Sequence, residues 1–308
     1  MKKLLFLLGV IWLAACKTGQ QAAVYTPEQL VPTEKSLVWK ISGNGLKSPS
    51  YLYGTIHLIP KKEYEMPETV RKALDQCKQV AFEIDMKELT NLRTQMSLMT
   101  KAFMAGNKTL KDLLSKEDYA FVKEKMAEKG LPGGMMERMK PMFLSTLLTN
   151  EEEGESAMGT GAMTSVEMEL YKSAKRRKLA TTGLETTAYQ MAIFDSIPYQ
   201  AQAKMLIDGL RSTETDGSGE DGQLGQMLKM YREQDINAMQ AMIADEAKGM
   251  AQYEELLLKK RNRNWIAPMS RLMREKPTIF AVGAGHLGGE WGVVALLRKA
   301  GFRVEKAI

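Results

Sequence analysis

Cysteine and histidine are scarce in this sequence, with two of each among 308 residues. A single pair of cysteines, Cys16 and Cys77, excludes a disulfide-stapled scaffold, so the stability of the protein must come from the burial of apolar side chains. Cys77 lies on the apolar face of a predicted helix, and we expect it to be a small buried hydrophobe.

Strong charge and long apolar runs are absent as well. The formal net charge is only +6 and is spread along the chain, so it gives no support for nucleic-acid binding. Beyond the first thirteen residues, no apolar stretch approaches the roughly 20 residues that a helix needs to cross a bilayer. Any attachment to a membrane must therefore come from the N-terminus.

The N-terminus has the pattern of an export signal. Lys2 and Lys3 precede an apolar run over residues 4–13, which ends in Leu13-Ala14-Ala15-Cys16. Because the run is too short to span a membrane, we predict a cleaved signal peptide over residues 1–15. The small residues before Cys16 resemble a bacterial lipobox, which implies a lipidated Cys16. An ordinary signal peptide with a chance cysteine is the alternative. The prediction is an exported protein, lipid-anchored in the bacterial cell envelope at the outer membrane.

Residues 16–35 are polar and contain two prolines, so we predict a lipidated cysteine followed by a flexible tether. A single domain is expected over residues 36–308. Its two ends look alike, because residues 52–85 and residues 278–306 have the same predicted order: a strand, a Gly-x-x-His motif, a helix and a second strand. Between them, from about residue 88 to 260, apolar residues follow mostly helical spacing. The prediction is an α/β fold: a central, mostly parallel or mixed sheet built from two β-α-β units, with a large helical insertion between them.

The two histidines are the strongest indication of a functional site. His57 and His286 both occupy the fourth position of a Gly-x-x-His motif after an apolar strand, and open α/β sheets bind ligands at the carboxyl ends of their strands. Glu83, near the end of a third strand, is the candidate carboxylate. Two imidazoles and a carboxylate suit a divalent metal, with Mn, Co and Zn equally compatible. The alternatives are a structural hydrogen bond for each histidine, and for Glu83 a carboxylate that is exposed at the surface or held in a salt bridge.

A glycine pattern near the C-terminus matches a different kind of site. Gly283, Gly285 and Gly288 have the spacing of the dinucleotide-binding fingerprint and follow a predicted strand. Only 20 residues remain after Gly288, which leaves no room for the further β-α units of a dinucleotide-binding domain. We therefore do not expect a nucleotide cofactor.

These motifs together resemble the TraB/GumN family, which also includes the Tiki-type metalloproteases. The resemblance rests on residues 37–41, 51–58, 82–85, 183–186 with Gln190, 261–262, 281–287 and 292–293. It implies a fold related to the erythromycin-esterase and ChaN-like group, with a metal site at the paired histidines and a carboxylate. One departure is Ser165-Val166-Glu167, where many members have Gly-x-Asp.

The resemblance adds three residues to the candidate site. It implies that Arg261 and Asn262 orient a substrate carbonyl or support the metal ligands, and that Glu185 supports a ligand or contacts substrate. Tiki-type members are metal-dependent proteases acting on peptides, whereas other members sit with polysaccharide genes and have no settled activity.

Three hypotheses follow. The first is a metal-dependent peptidase of the cell envelope that cleaves a peptide or protein substrate. In it, His57 and His286 bind the metal, Glu83 binds it or acts as base, and Arg261, Asn262 and Glu185 complete the catalytic set. The second is a non-catalytic protein that binds a metal, haem or a glycan in the same pocket. The third is a structural lipoprotein. The sequence leaves the oligomeric state open.

Overall fold

The structure is a computed structural model, which describes residues 21–89, 91–148, 163–215, 223–244 and 251–308. The predicted signal peptide and Cys16 lie outside the described residues. Within the described ranges, every helix is too short or too polar to cross a bilayer.

One mixed sheet forms the centre of the domain, and a two-stranded ribbon lies beside it. The strands are β1 (Val38–Ser42), β2 (Ser50–Thr55), β3 (Ile59–Pro60), β4 (Gln79–Ile84), β5 (Met163–Thr164), β6 (Ala180–Glu185), β7 (Thr278–Gly283) and β8 (Arg303–Lys306). In the described part of the chain, the main sheet has the order β6-β4-β7-β2-β1-β8, and β3 pairs with β5. The residues of β2 and nearly all of β7 are buried, as expected for strands covered on both faces.

The two predicted β-α-β units are interleaved in this sheet. β7 lies between β2 and β4 and is parallel to both, so the last part of the chain fills a gap that the first part leaves open. β4 is also parallel to β6. β1 runs antiparallel to its neighbours β2 and β8, which makes the sheet mixed. The predicted α/β class and the mixed sheet are confirmed.

Helices cover the sheet and build the insertion. They are α1 (Pro27–Leu30), α2 (Glu68–Gln76), α3 (Met86–Leu89), α4 (Leu92–Lys101), α5 (Lys116–Glu128), α6 (Gly133–Met136), α7 (Pro141–Leu148), α8 (Val166–Arg176), α9 (Thr187–Asp195), α10 (Tyr199–Thr215), α11 (Gln223–Arg232), α12 (Ile236–Ile243), α13 (Lys260–Glu275) and α14 (Val293–Lys299). A π-helix, Glu255–Lys259, leads directly into α13. Short 3₁₀ turns occur at Leu110–Asp112, Ala251–Tyr253 and Ala284–His286.

The helical insertion has an apolar core of its own. Buried side chains of α5, α7 and α10 pack together there, among them Val122, Leu144 and Leu206, apart from the core around the sheet. The expectation that residues 88–260 are mostly helical is correct, with one important exception. β6 lies within this region and forms the edge of the main sheet next to β4.

Close helix packing accounts for the glycine pattern after β7. A Cβ atom at Gly288 would lie 2.3 Å from the carbonyl oxygen of Ile236, and one at Gly285 would lie 2.5 Å from the Cδ1 atom of Ile243. Both contacts are with α12, which packs on the turn that carries His286. The glycines therefore allow α12 to pack closely on this turn.

The described part of the segment expected to be a tether lies against the domain. The backbone N–H of Ala23 donates to Gly301, and Asn237 donates to the carbonyl of Pro32. Lys35 forms an ion pair with Asp235 at 2.8 Å. Residues 21–35 are thus held by contacts that a free linker would not make.

Candidate active site

The site lies at the carboxyl ends of four neighbouring strands. Thr55 at the end of β2 pairs with Gly283 at the end of β7, and Ile84 at the end of β4 pairs with Glu185 at the end of β6. Since these four strands are parallel, the residues at and just beyond their ends gather at one edge of the sheet. His57, Glu83, Glu185 and His286 all come to this edge, and the start of α13 brings Arg261 and Asn262.

His286 is buried and held in one tautomer by Asn262. The two N–H bonds of the Asn262 amide point at the carbonyl oxygens of His286 and Trp291, at 3.2 and 2.9 Å. The amide oxygen must therefore accept, and His286 Nδ1 donates to it at 2.6 Å. This leaves a lone pair on His286 Nε2, directed into the site. Burial lowers the pKa of His286 to about 3, so the ring is neutral near pH 7.

Glu83 uses both carboxylate oxygens inside the site. Oε1 accepts from the backbone N–H of Gly283 at 2.8 Å, and Oε2 accepts from Arg261 at 2.5 Å and Gln190 at 3.2 Å. Burial alone would raise the pKa of Glu83, but the nearby positive charges and the Gly283 N–H outweigh it and lower the pKa to about 2. Glu83 is therefore an ionised carboxylate, 3.9 Å from Nε2 of His286.

Arg261 lies between the two carboxylates. Its Nη2 donates to Glu83 and to Glu185, both at 2.5 Å, and its Nε donates to Glu185 at 3.0 Å. Its Nη1 lies 3.1 Å from Nε2 of His286 and 3.2 Å from the carbonyl oxygen of Leu257 in the π-helix. The guanidinium also stacks on Trp265, 5.0 Å from the ring centre. Burial would lower the pKa of Arg261, but the two carboxylates raise it, so the charge is retained.

His57 differs from His286 in that its side chain is 79% exposed. Its Nδ1 lies 2.9 Å from Glu167, a buried carboxylate that also accepts hydrogen bonds from Thr55 and Ser165, each at 2.7 Å. The hydrogen bond and charge of Glu167 raise the pKa of His57 to about 9. Near pH 7 the ring is therefore an imidazolium, whose second nitrogen carries a proton and would bind a metal only after losing it.

The charges of the two histidines and Glu83 act on one another. The pKa of His57 is raised by Glu83, and those of Glu83 and His286 are each lowered by His57. The two lone histidines, more than two hundred residues apart in sequence, thus follow the ends of neighbouring parallel strands at one edge of the sheet, and Nε2 of His286 lies 3.9 Å from Oε1 of Glu83.

The donor chemistry of these residues fits a divalent ion, but their arrangement does not enclose one. Within the described residues, no three His, Cys, Asp or Glu side chains are close enough together to hold a metal. In the structure, the guanidinium of Arg261 instead engages Glu83 and the lone pair of His286. Each histidine nevertheless has its Nδ1 held by an acceptor, Glu167 or Asn262, as is typical of metal-ligating imidazoles.

Two residues of the site were not assigned to it from the sequence. Glu167 appeared only as a departure from the family pattern, and Gln190 only as part of the resemblance; the structure gives each a contact with His57 or with the carboxylates. Glu167 carries a local signal, because Ser165 caps α8 and places a carboxylate in its first turn. Nothing in the local sequence connects that turn to the Gly-x-x-His motif of β2.

The fold and the site define a class of α/β proteins with paired histidines at one edge of the sheet. The chain belongs to the TraB/PrgY/gumN family, whose model matches residues 37–306. The resemblance inferred from the motifs is thereby confirmed.

Curated relatives of this chain are named metalloproteases. Metalloprotease TIKI1 of Danio rerio is 23% identical over 88% of this chain and 63% of its own length. The Metalloprotease TIKI homolog of Amphimedon queenslandica is 24% identical over 89% of this chain and 62% of its own length. Metalloprotease TIKI2 of Xenopus tropicalis is 24% identical over 94% and 62%. The chain thus spans about three fifths of the length of these relatives. No solved structure matches it.

Proposed function

We propose that the protein is a metal-dependent peptidase of the bacterial cell envelope. The observation that carries the proposal is the meeting of His57, His286 and Glu83 at one sheet edge, each histidine with its Nδ1 engaged by a separate acceptor. The proposal assigns Nε2 of each histidine and the carboxylate of Glu83 to a common ion, which would displace the proton that His57 holds near pH 7. The names of the distant relatives support the same class of activity.

The ligands of the ion would be His57, His286 and Glu83. When bound, a divalent ion supplies Lewis-acid polarisation of a carbonyl and acidifies a water molecule. Glu83 is ionised near pH 7, which suits a metal ligand, but a pKa lowered to about 2 makes it a weak base, so the proposal keeps it as a ligand and not as the proton acceptor.

The remaining residues position these three. Glu167 holds His57, and Asn262 holds His286 from behind; the Asn262 amide has its oxygen and both N–H groups engaged, so it does not reach a substrate carbonyl. Of the two roles that the sequence left open for Asn262, the proposal assigns support of the ligand. Glu185 holds Arg261 and accepts from Trp265 at 3.0 Å, which makes it a positioning residue.

The cellular setting and the substrate are parts of the same proposal. The basic, apolar and small residues up to Cys16 support export and a lipid anchor at the outer membrane. The peptide or protein nature of the substrate is supported by the names of the relatives alone. Fractionation of cells tests the anchor: the protein is expected with the membranes, and Cys16→Ser is expected to release it.

Activity is tested by incubating the purified protein with a peptide library and manganese, cobalt or zinc chloride, with cleavage read by mass spectrometry. The proposal expects cleavage that EDTA removes. Glu83→Gln is expected to abolish it, whereas Glu117→Gln, at an exposed position of α5, is expected to retain it. Metal binding without turnover would instead favour the non-catalytic binding protein. Cleavage that persists in Glu83→Gln would remove Glu83 from the mechanism.

A further inference from the structure

The guanidinium of Arg261 occupies the position in which a bound cation would meet its ligands. The same group contacts the Oε2 atom of Glu83 at 2.5 Å and the Nε2 atom of His286 at 3.1 Å. These are two of the three ligands that the proposed function assigns to the metal. The carboxylates of Glu83 and Glu185 thus share one positive charge, which a residue of the protein itself supplies.

Arg261 and a divalent ion are mutually exclusive at His286. Because Nδ1 of His286 donates to Asn262, the lone pair on Nε2 is its single remaining binding position, and Arg261 Nη1 donates into it. A guanidinium keeps its charge at any physiological pH, so it cannot become a ligand or yield by losing a proton. A metal ion entering this site would also be repelled by its charge.

We propose that Arg261 is an internal cation, which holds the ligand set in place without metal and must be displaced before a divalent ion binds. This inference rests on the metal site of the proposed function and adds a regulatory property to it. The protein must spend part of the binding free energy on breaking the Arg261 contacts, so its apparent metal affinity is lower than the bare ligand set would give.

The structure also indicates how Arg261 leaves. Its Nε is bound to Glu185 at 3.0 Å, and Glu185 is held independently by Gln190 at 2.7 Å and Trp265 at 3.0 Å. The guanidinium can therefore keep one carboxylate partner while its Nη atoms turn away from Glu83 and His286. The π-helix Glu255–Lys259 precedes this residue directly, and its Leu257 carbonyl already accepts from Nη1. Such π-turns are common at functional sites.

Affinity is tested by calorimetric titration of the metal-free full chain with manganese and zinc chloride. We compare wild type with Arg261→Met, which keeps the side-chain length but removes the charge, and with Arg271→Met, an exposed position on the same helix. Arg261→Met is expected to bind metal roughly tenfold more tightly or better, since the competing state is gone. Arg271→Met is expected to bind as wild type does. An Arg261→Met affinity equal to or weaker than that of wild type overturns the inference.

A second readout uses Trp265, which stacks on the guanidinium and remains informative if Arg261→Met folds poorly. Zinc, which does not quench fluorescence by paramagnetism, is expected to change the Trp265 emission of wild type at the concentrations that saturate the calorimetric signal. The change should disappear in Trp265→Phe and persist in Trp291→Phe. Binding that leaves the Trp265 emission unchanged contradicts the displacement of Arg261.

The failure of this inference is distinguishable from failure of the proposed function. If wild type binds metal and cleaves peptides while Arg261→Met binds no more tightly, the internal cation alone is wrong. If neither protein binds metal, the proposed metal site is wrong, and so is the inference that depends on it.

Discussion

Asn262 offers the sharpest test of how the site is built, because one buried amide satisfies three polar groups. Its side chain accepts from His286 Nδ1 at 2.6 Å and donates to the carbonyls of His286 and Trp291 at 3.2 and 2.9 Å, and the residue is 3% exposed. Asn262→Leu keeps the volume but leaves all three groups without a partner. Two of these contacts are buried, and each buried group left unsatisfied costs about 1–3 kcal/mol, so the expected loss of stability is roughly 2–6 kcal/mol.

Urea unfolding followed by circular dichroism measures this loss. A midpoint lower by about 1 M or more is expected for Asn262→Leu. The matched control is Asn264→Leu, two residues further along α13, where an exposed amide donates to Tyr189 at 3.1 Å; its effect should stay within about 0.5 kcal/mol. Equal midpoints for the two variants would refute the argument that Asn262 fixes the buried ring.

The remaining predictions concern the pKa values of the two histidines and the packing of β6. In metal-free protein, NMR titration of the two imidazoles should give a pKa near 9 for His57 and near 3 for His286. Glu167→Gln should lower the pKa of His57 toward 6.5, because the hydrogen bond and charge of Glu167 raise it. An unchanged pKa of His57 in this variant would show that Glu167 does not raise it. Gly183→Ala should lower the melting temperature by several degrees, since the new Cβ would lie 2.6 Å from a backbone nitrogen just after β4. Gly209→Ala in α10, where a Cβ meets no described atom within 4 Å, should raise it slightly. Calorimetry measures the melting temperatures of both variants. A smaller decrease for Gly183→Ala than for Gly209→Ala would contradict the close packing of β6 against the end of β4.

The strands that carry the histidines could be predicted because burial on both faces leaves a clear apolar pattern. The strand expected at the start of residues 52–85 is β2 at Ser50–Thr55, and the strand expected at the start of residues 278–306 is β7 at Thr278–Gly283. Both histidines were consequently expected at the carboxyl ends of the strands, which is where the structure has them. A Gly-x-x-His motif after such a strand is local information, which a sequence displays directly.

β6 could not be predicted by the same means. It is an edge strand that is mostly half-buried, and Gly183 interrupts its apolar pattern, so it resembles a loop among helices. Yet β6 places Glu185 beside the end of β4, where it binds Arg261. The contact between Glu167 and His57 could not be predicted for a related reason. It joins residues that are 110 positions apart in the sequence, and no local pattern indicates it.

The position of β7 between β2 and β4 has a consequence for biosynthesis. Until residues 278–283 have been made, β2 is able to pair only with β1, and β4 only with β6, so a growing chain holds two separate ribbons with unfilled edges. Unpaired strand edges invite pairing with other chains, which makes premature termination or early release hazardous. The main sheet is therefore completed only after residues 278–283 have been synthesised.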